Sequence, residues 1–322
     1  MFCISKIMNT PRGKKMITVF AGGVGGAKLV LGLANLLNSE ELTVVVNTGD
    51  DEEFYGLHVS PDIDTVIYTL AGLSNEATGW GIVDESFRTL DRLSEYGMDT
   101  WFNLGDLDFA THITRSKLLR DGLNLTEVTD RLAKSVGVEH SILPMSNDDA
   151  KTIMHTEAGK MSFQEYFVKN RCEPVVKSLE FGGGGVNFPS NEVLSALKQS
   201  TALILSPSNP YLSINPILAL SGFREEINNF KGMKIAVSPI VGGKALKGPA
   251  DKLLRELGSD VSALGVARQY TGICDVFVID KQDTELIGDI ENLGMNVVVT
   301  DTVMKSKRDK VTLAKVILDL CE

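Results

Sequence analysis

The chain alternates between short apolar runs and longer segments in which apolar residues recur at helical spacing. The short runs are rich in valine, isoleucine and leucine, and this composition favours β-strands. Strands are predicted at Ile17–Phe20, Leu42–Val46, Ala202–Leu205, Lys234–Val237, Asp275–Ile279 and Asn296–Val299, and an extended segment at Ile142–Met145. Helices are predicted at Gly26–Leu37, Ile63–Leu70, Asp108–Arg120, Glu127–Val136, Asn191–Gln199, Ala250–Leu257 and Lys310–Leu320.

The predicted strands are apolar throughout, as in TVVV, ALIL, KIAV and VFVI, rather than alternately apolar and polar. Continuous apolar strands are typical of parallel sheets that helices cover on both faces. We therefore predict an α/β fold with a doubly wound, mostly parallel, Rossmann-like sheet. In such a sheet the ligand site lies beyond the carboxyl ends of the strands.

The pattern changes between about residues 141 and 185, where we predict a mixed, largely helical insertion. Within it, Ala158–Lys160 favours a hairpin turn, Phe163–Lys169 a short helix and Gly182–Gly185 a flexible loop. Residues 16–322 then form a single α/β domain that contains this insertion. Residues 1–15 are basic and irregular, and we expect a disordered extension or an upstream start choice there.

The bulk composition argues against several classes of protein. With 322 residues, 43% hydrophobic content and a net charge of −10, the chain is globular and unsuited to nucleic acid as its main partner. Its four cysteines form no CxxC pair, so we expect reduced thiols in the cytoplasm rather than a zinc site or a disulfide framework. No apolar run approaches the ~18 residues that a membrane span requires.

A glycine-rich turn, AGGVGGAK, follows the first predicted strand and contains Gly22, Gly23, Gly25 and Gly26. Such a turn lets free backbone N–H groups at a helix start approach an anion, and Lys28 adds a positive charge. The motif is not the dinucleotide fingerprint, because Lys28 replaces its third glycine, and it lacks the GK[ST] of a P-loop. We interpret it as a phosphate-binding turn, and close helix–strand packing is the structural alternative.

Six carboxylates follow the second predicted strand, at Asp50, Asp51, Glu52, Glu53, Asp62 and Asp64. We predict that Asp50 helps to hold Mg²⁺, which commonly binds through one or two carboxylates and substrate phosphates. A ribose contact from Asp50 is the alternative typical of dehydrogenases. One of Asp62 and Asp64 is expected to cap the next helix while the other faces the cleft. We expect solvent exposure for Asp51, Glu52 and Glu53, and a solvated loop is also the alternative for Asp50 and Asp64.

Three later segments carry further candidates. On a helix, Asp108 and His112 share a face, as do Thr111 and Arg115, and this face is either functional or a surface ion-pair face. Two loops follow later strands, and their small polar residues and glycines are explained either by turn chemistry or by ligand contacts. The nucleotide-binding candidates in these loops are Ser208, Asn209, Pro210, Ser238, Gly242 and Gly243.

The motifs GGVGGAK, VNTGDD, SPDIDT, LGDLDFATH, MSNDD, SPSNP and SPIVGGK, in this order, closely resemble those of the 2-phospho-L-lactate transferases of deazaflavin coenzyme F(420) biosynthesis. This resemblance implies a Mg²⁺-dependent transferase, which moves a phospholactyl group from a guanosine diphosphate-linked donor to the deazaflavin alcohol Fo and releases GMP. Bacterial relatives move a phosphoenolpyruvyl group, and WFNLGDLDFATH and GGVGGAK look more like those relatives. The family also implies a homodimer.

The resemblance implies roles for particular residues. Asp64 and Asn103 would contact Fo, although Asn103 stands where archaeal members carry lysine. The glycine turn and the loops at 206–210 and 238–244 would hold the guanosine and phosphates of the donor. Attack of a hydroxyl on a diphosphate needs positioning, a cation and a carboxylate near the nucleophile. We therefore expect Asp50, Asp62 and Asp64 to act in catalysis, with Asp62 or Asp64 orienting or deprotonating the Fo hydroxyl.

Two other functions compete with transfer. The related nucleotide-sugar-binding regulatory proteins share the glycine turn and the acidic loop, and they are not catalysts. They carry GDIR where this chain has PDID and GPGSLY where it has PSNPY, and both differences favour a transferase. The missing third glycine disfavours a nicotinamide-dependent dehydrogenase.

Overall fold

The computed structural model describes residues 15–321, so nearly all of the predicted extension at 1–15 lies outside the described residues. Its strands are β1 (Ile17–Ala21), β2 (Leu42–Val46), β3 (Glu52–Phe54), β4 (Leu57–Val59), β5 (Ser141–Pro144), β6 (Ile153–Thr156), β7 (Gly159–Ser162), β8 (Val176–Glu180), β9 (Ala202–Leu205), β10 (Met233–Val237), β11 (Ile240–Val241), β12 (Lys244–Ala245), β13 (Val276–Asp280) and β14 (Asn296–Thr300). Its α-helices are α1 (Gly23–Ala34), α2 (Pro61–Ala71), α3 (Arg88–Glu95), α4 (Asp106–Arg120), α5 (Leu125–Ser135), α6 (Asn191–Gln199), α7 (Asn215–Leu218), α8 (Phe223–Asn229), α9 (Ala250–Glu256), α10 (Ala263–Gln269), α11 (Ile287–Glu291) and α12 (Lys307–Leu320).

Seven strands form the central sheet, in the order β14-β13-β10-β9-β1-β2-β5, and every neighbouring pair is parallel. The predicted doubly wound parallel sheet is therefore confirmed. The chain runs outward from β1 through β2 to β5, and it returns to the other side of β1 as β9. The direction of winding reverses between β1 and β9, which is the place where open α/β sheets bind their ligands.

Two hydrophobic cores lie on opposite faces of this sheet. Phe20 and Val45 point into one core, and Val19 and Val44 point into the other, because successive strand residues face opposite sides. Helices α1, α2, α5 and α12 cover the face with Val19, while α6, α9 and α10 cover the face with Phe20. Burial on both faces explains why the strand sequences are apolar throughout.

The insertion differs from its prediction in content and in its first residues. Ser141–Pro144 pairs in parallel with β2 and so forms the edge of the central sheet. Strands β6, β7 and β8 form an antiparallel sheet, and a single helical turn lies at Glu165–Lys169, so the insertion is built mainly from strands rather than helices. The predicted hairpin at Ala158–Lys160 is confirmed. Short strands with polar residues at alternate positions need few apolar side chains, and Met154 and Val176 anchor this sheet to the core.

Helices α1, α2, α4, α5 and α12 begin two or three residues earlier than predicted, and one small lobe was not predicted. Helix α1 begins inside the glycine turn at Gly23, and α2 begins at Pro61 rather than at Ile63. The β3–β4 hairpin packs with α3 and α4 around a separate aromatic core, in which the rings of Phe54 and Phe102 stack 3.8 Å apart. Between residues 15 and 321, no helix has the length and apolar character needed to cross a membrane.

Candidate active site

The glycine turn at the end of β1 is joined to the loop that follows β9. The N–H of Gly22 donates to the Ser208 hydroxyl at 3.2 Å, and that hydroxyl donates to the Gly22 carbonyl oxygen at 2.7 Å. Gly25 lies so close to the same loop that an added Cβ would overlap the Pro207 carbonyl oxygen. The structure thus brings together the turn and the loop for which phosphate and nucleotide contacts are predicted.

Asp62 connects this turn to the acidic loop after β2. Its Oδ1 accepts the N–H of Gly23 at 2.6 Å, and Gly23 has a φ of +61° that favours glycine. Its Oδ2 accepts the side-chain amide of Asn47 at 2.9 Å, and the same amide nitrogen donates to Asp50 at 3.1 Å. The prediction that Asp62 or Asp64 caps the following helix is wrong, because Ser60 is the N-cap residue of α2 and no side chain caps it.

Four carboxylates are buried at this edge of the sheet, at Asp50, Asp51, Asp62 and Asp64. Burial, and then the charges of Asp62 and Asp51, raise the pKa of Asp50 well above its usual range. Burial also raises the pKa of Asp62 to about 6, although hydrogen bonds from Asn47 and Gly23 act to lower it. Like charges in a desolvated site favour protonation or a bound cation. The buried carboxylates therefore favour the binding of a positively charged ligand at this site.

The residues around Asp50 fit a magnesium ion that is held jointly with a substrate. Within residues 15–321, no group of three or more His, Cys, Asp or Glu side chains is placed to hold a metal ion. Mg²⁺ does not require such a group, because one or two carboxylates, waters and substrate phosphates suffice. In the described part of the chain, Asp51 Oδ1 and Thr48 Oγ1 are buried without a hydrogen-bond partner. Metal binding by Asp50 stays a prediction.

The predicted solvent exposure of Asp51 is wrong. Its side chain is 6% exposed, its Oδ2 accepts the Ser60 hydroxyl at 2.7 Å, and His58 Nε2 lies 3.0 Å from the same oxygen. The unpredicted β3–β4 hairpin places His58 beside the acidic loop. Glu52 is half-buried beside Lys151, whereas Glu53 is exposed as predicted.

Asp64 faces helix α4 and is bound there by Arg115. Arg115 is fully buried, and its guanidinium donates to both oxygens of Asp64. The prediction that Asp108 and His112 share a face of α4 is confirmed, with Oδ1 and Nε2 3.3 Å apart. Tyr68 on α2 donates its hydroxyl to the same Asp108 oxygen at 2.7 Å. All of these groups are buried, so the alternative of a surface ion-pair face is wrong.

A cavity of about 360 Å³ lies beside this network. Its lining residues are Asn75, Thr78, Trp80, Glu85, Phe87, Leu90, Asp91 and Asn103. The rings of Trp80 and Phe87 are 6.1 Å apart at this cavity, and Asn103 is the residue predicted to contact Fo. Glu85 accepts the N–H of Asp108 at 3.1 Å, so the cavity wall is attached to the helix that binds Asp64. The sequence analysis did not identify Trp80 and Phe87, because two aromatic residues seven positions apart form no recognisable motif.

Positive charge accumulates beside α1. Burial, and then the charges of Lys247 and Lys310, lower the pKa of Lys28. Lys310 binds the exposed Glu76 at 3.0 Å, and an added Cβ at Gly79 would lie 2.6 Å from the Lys247 ammonium. Three lysines near one carboxylate give local positive charge in a protein whose net charge is −10. Lys28 was a predicted phosphate ligand, whereas Lys247 and Lys310 are distant in sequence and were missed.

A comparison with protein families matches residues 17–318 to a family described as 2-phospho-L-lactate transferase CofD. This match covers nearly the whole chain. The chain belongs to the CofD family.

Curated relatives of this CofD-family chain agree with the family match. The 2-phospho-L-lactate transferase of Methanosarcina mazei is 40% identical over 93% of this chain and 98% of its own length. The enzyme of the same name from Methanocaldococcus jannaschii is 39% identical over 95% and 98% of the two chains. A phosphoenolpyruvate transferase of Streptomyces griseus is 38% identical over the same shares, 95% and 98%. Relatives with either name are thus almost equally similar to this chain.

The fold of this CofD-family chain also resembles a solved structure. A UPF0052-family protein from Bacillus halodurans superposes with a TM-score of 0.67, over 95% of this chain and 99% of that one. The sequence identity is 16%, so the likeness concerns the fold alone.

The remaining nucleotide-binding candidates of this CofD-family chain have local structural roles. Asn209 Oδ1 accepts the N–H groups of Tyr211 and Leu212, and its Nδ2 is buried without a partner among residues 15–321. It thereby begins the helical turn that contains Pro210. The remaining candidates, Ser238, Gly242 and Gly243, lie in and beside the β11–β12 hairpin, where Ser238 bonds Ile240 and Gly242 bonds Asp283. Contacts of these residues with a nucleotide stay predictions.

Proposed function

We propose that this CofD-family chain transfers a phospholactyl or phosphoenolpyruvyl group from a guanosine diphosphate-linked donor to Fo, with release of GMP. The observation that carries the proposal is the 2.6 Å hydrogen bond from Gly23 to Asp62. It joins a turn suited to phosphates directly to a group of buried carboxylates. A diphosphate on the turn would therefore lie beside groups that can hold a metal ion, orient a hydroxyl and accept a proton.

The donor would bind along the glycine turn. The N–H groups of Gly22 and Gly23 already bond Ser208 and Asp62, so the positive end of the α1 dipole and the ammonium groups of Lys28 and Lys247 would favour its phosphates. The Asn209 Nδ2 and the loop after β10 would lie near its guanosine. Asp50 would hold Mg²⁺ together with the diphosphate, and the ion would neutralise charge that develops on the leaving phosphate.

The acceptor would place its planar deazaflavin ring in the cavity lined by Trp80 and Phe87. Cavities of this size, with aromatic walls and a few polar groups, suit a ligand of this kind. Its primary hydroxyl oxygen then attacks the phosphorus that carries the three-carbon acid. A new P–O bond forms to Fo, the P–O bond to GMP breaks, and GMP leaves with that electron pair. Asp64 orients the hydroxyl, and Asp62, whose pKa is raised to about 6, accepts its proton.

The relatives support a transferase function, but their names do not distinguish a phospholactyl donor from a phosphoenolpyruvyl donor. Those from Methanosarcina mazei and Methanocaldococcus jannaschii are named 2-phospho-L-lactate transferases, and the Streptomyces griseus relative is named a phosphoenolpyruvate transferase. Both donors therefore belong in the first assay. Their three-carbon groups differ mainly in saturation.

The test is to incubate the protein with Fo, Mg²⁺ and each guanylylated donor, and to measure new deazaflavin and GMP by mass spectrometry. We expect a deazaflavin that is heavier by one phospho-acid group, together with an equal amount of GMP. Addition of a chelator should stop the reaction, and added Mg²⁺ should restore it. Absence of any new deazaflavin with either donor would instead support a nucleotide-binding protein without catalysis.

Replacement of Lys28 by alanine is expected to raise the KM for the donor by about tenfold, because one charge-assisted hydrogen bond to a phosphate is lost. Burial and two neighbouring lysines already lower the pKa of Lys28, so its charge is unfavourable in the free protein. The variant should therefore melt no earlier than the wild type.

The matched control is Lys117→Ala. Lys117 lies on α4, is 68% exposed and pairs with Asp121, so its removal should leave the KM for the donor unchanged. An equal effect of the two variants would contradict a specific phosphate contact by Lys28.

Replacement of Trp80 by alanine is expected to raise the KM for Fo by about tenfold or more, because a stacked aromatic contact and its buried area are lost. The KM for the donor should not change. A second measurement uses fluorescence, since the chain has two tryptophans, Trp80 and Trp101. In Trp101→Phe the remaining Trp80 should be quenched when Fo is added. Unchanged Trp80 fluorescence at saturating Fo would place the ring elsewhere.

A further inference from the structure

The most completely buried charged side chain beside the acidic loop is that of Arg115. The Arg115 side chain has no exposed surface, and its carboxylate partner Asp64 is also buried. A guanidinium in such surroundings is stable when carboxylates and other acceptors surround it. Arg115 donates through both terminal nitrogens to the two oxygens of Asp64, in the fork that a guanidinium forms with a carboxylate. Both oxygens of Asp64 therefore have fixed positions.

A second contact fixes the guanidinium itself. One terminal nitrogen of Arg115, Nη1, lies 3.1 Å from His112 Nδ1. Arginine can only donate, so Nδ1 must accept, and the proton of a neutral His112 resides on Nε2. That nitrogen lies 3.3 Å from Asp108 Oδ1 but outside hydrogen-bond geometry, and the same oxygen accepts the Tyr68 hydroxyl. The chain of contacts thus continues from Asp64 through Arg115 and His112 to Asp108, whose N–H binds the cavity residue Glu85.

The contacts with Arg115 limit the hydrogen bonds that Asp64 can accept from a substrate. A carboxylate has about four lone-pair directions, and the guanidinium fork uses two of them. The other directions remain available to accept a hydrogen bond from a hydroxyl. Asp64 is therefore suited to hold a hydroxyl in one place.

We propose that Arg115, supported by His112, is a positioning residue that sets the orientation of Asp64 toward the acceptor hydroxyl. This inference rests on the proposed function, because it assumes that Asp64 meets the hydroxyl of Fo. Arg115 itself is too deeply buried to touch substrate, so it acts through Asp64.

The test compares Arg115→Lys with wild type by kcat, by KM for each substrate and by calorimetric binding of GDP. Lysine keeps the charge but presents one point of contact instead of a fork, so Asp64 can tilt. We expect kcat to fall by about 100-fold, as small misplacements in active sites do. The Kd for GDP should stay unchanged. A kcat equal to that of the wild type would overturn the positioning role.

A control separates positioning from stability. Lys252 on α9 forms a partly buried ion pair with Glu256 away from the site, so Lys252→Met should lower Tm and leave kcat unchanged. If Arg115→Lys also lowers Tm without changing kcat below its melting range, Arg115 is structural and the proposal fails.

A second pair of variants covers the case in which Arg115→Lys does not fold. His112→Asn keeps an acceptor near the position of Nδ1, whereas His112→Gln keeps one near Nε2. We expect His112→Asn to retain more of the wild-type kcat than His112→Gln, and the reverse order would contradict the proposal. A wild-type protein that transfers nothing would refute the proposed function itself, whatever these variants do.

Discussion

Asp64→Asn is expected to abolish transfer while GDP still binds. The asparagine amide would place an N–H group opposite the N–H groups of Arg115, so the fork described above cannot form. The acceptor hydroxyl then loses its partner, and we expect kcat to fall at least ~100-fold, within the range observed for positioned acid–base groups. Activity assays and calorimetry with GDP on the same protein sample check both halves of the expectation.

The asparagine variant also loses stability, because it leaves the Arg115 charge buried and uncompensated. Loss of one partner of a buried ion pair costs about 3–5 kcal/mol. The control is Asp121→Asn at the exposed end of α4, where the pair with Lys117 contributes little. Retained turnover in Asp64→Asn, with GDP binding intact, would show that Asp64 has no part in the reaction.

Gly25→Ala is expected to remove nucleotide binding and with it all transfer. The added Cβ would overlap the carbonyl oxygen of Pro207, and neither atom can rotate away, because the Cβ position is fixed by the backbone and the oxygen belongs to it. Helix α1 and the loop after β9 must therefore separate, which breaks the contacts between Gly22 and Ser208. Overpacking of this kind costs about 1–3 kcal/mol, and calorimetry with GDP and thermal melting measure the two effects.

The matched control for this substitution is Gly288→Ala. Gly288 is also helical, but an added Cβ there meets no atom within 4 Å. Alanine at an open helical position is neutral or slightly stabilising. If Gly25→Ala binds GDP as tightly as Gly288→Ala does, the turn does not hold the phosphates.

The central sheet could be predicted because the residue pattern of each strand indicates which of its faces are buried. Val44 and Val45 face opposite cores, so a run such as TVVV indicates a strand covered on both sides. The start of α1 was less predictable, since glycine is a poor helix former and Gly23 to Gly26 suggest a loop. Close packing of Gly25 against Pro207, a tertiary contact, outweighs that local preference.

The site residues that follow the end of a strand in a motif could be predicted. Residues that reach the site from distant parts of the chain could not. Asp50 and Asp62 were identified by their position after strands and turns. Arg115, in contrast, resembles any arginine on an amphipathic helix until the fold places α4 against α2. The burial of Asp51 depends on His58 and Ser60, and a three-residue strand such as β4 is too short to give a clear pattern.

The bond between Gly22 and Ser208 joins positions that are 186 residues apart in the chain. A ribosome must therefore synthesise well over half of the protein before the phosphate-binding turn can be completed. Pairings across such distances slow folding, because the intervening chain must first be ordered. A nascent or truncated chain that ends before β9 should be unable to retain GDP. Acquisition of GDP binding would thus mark the moment when the two halves of the sheet meet.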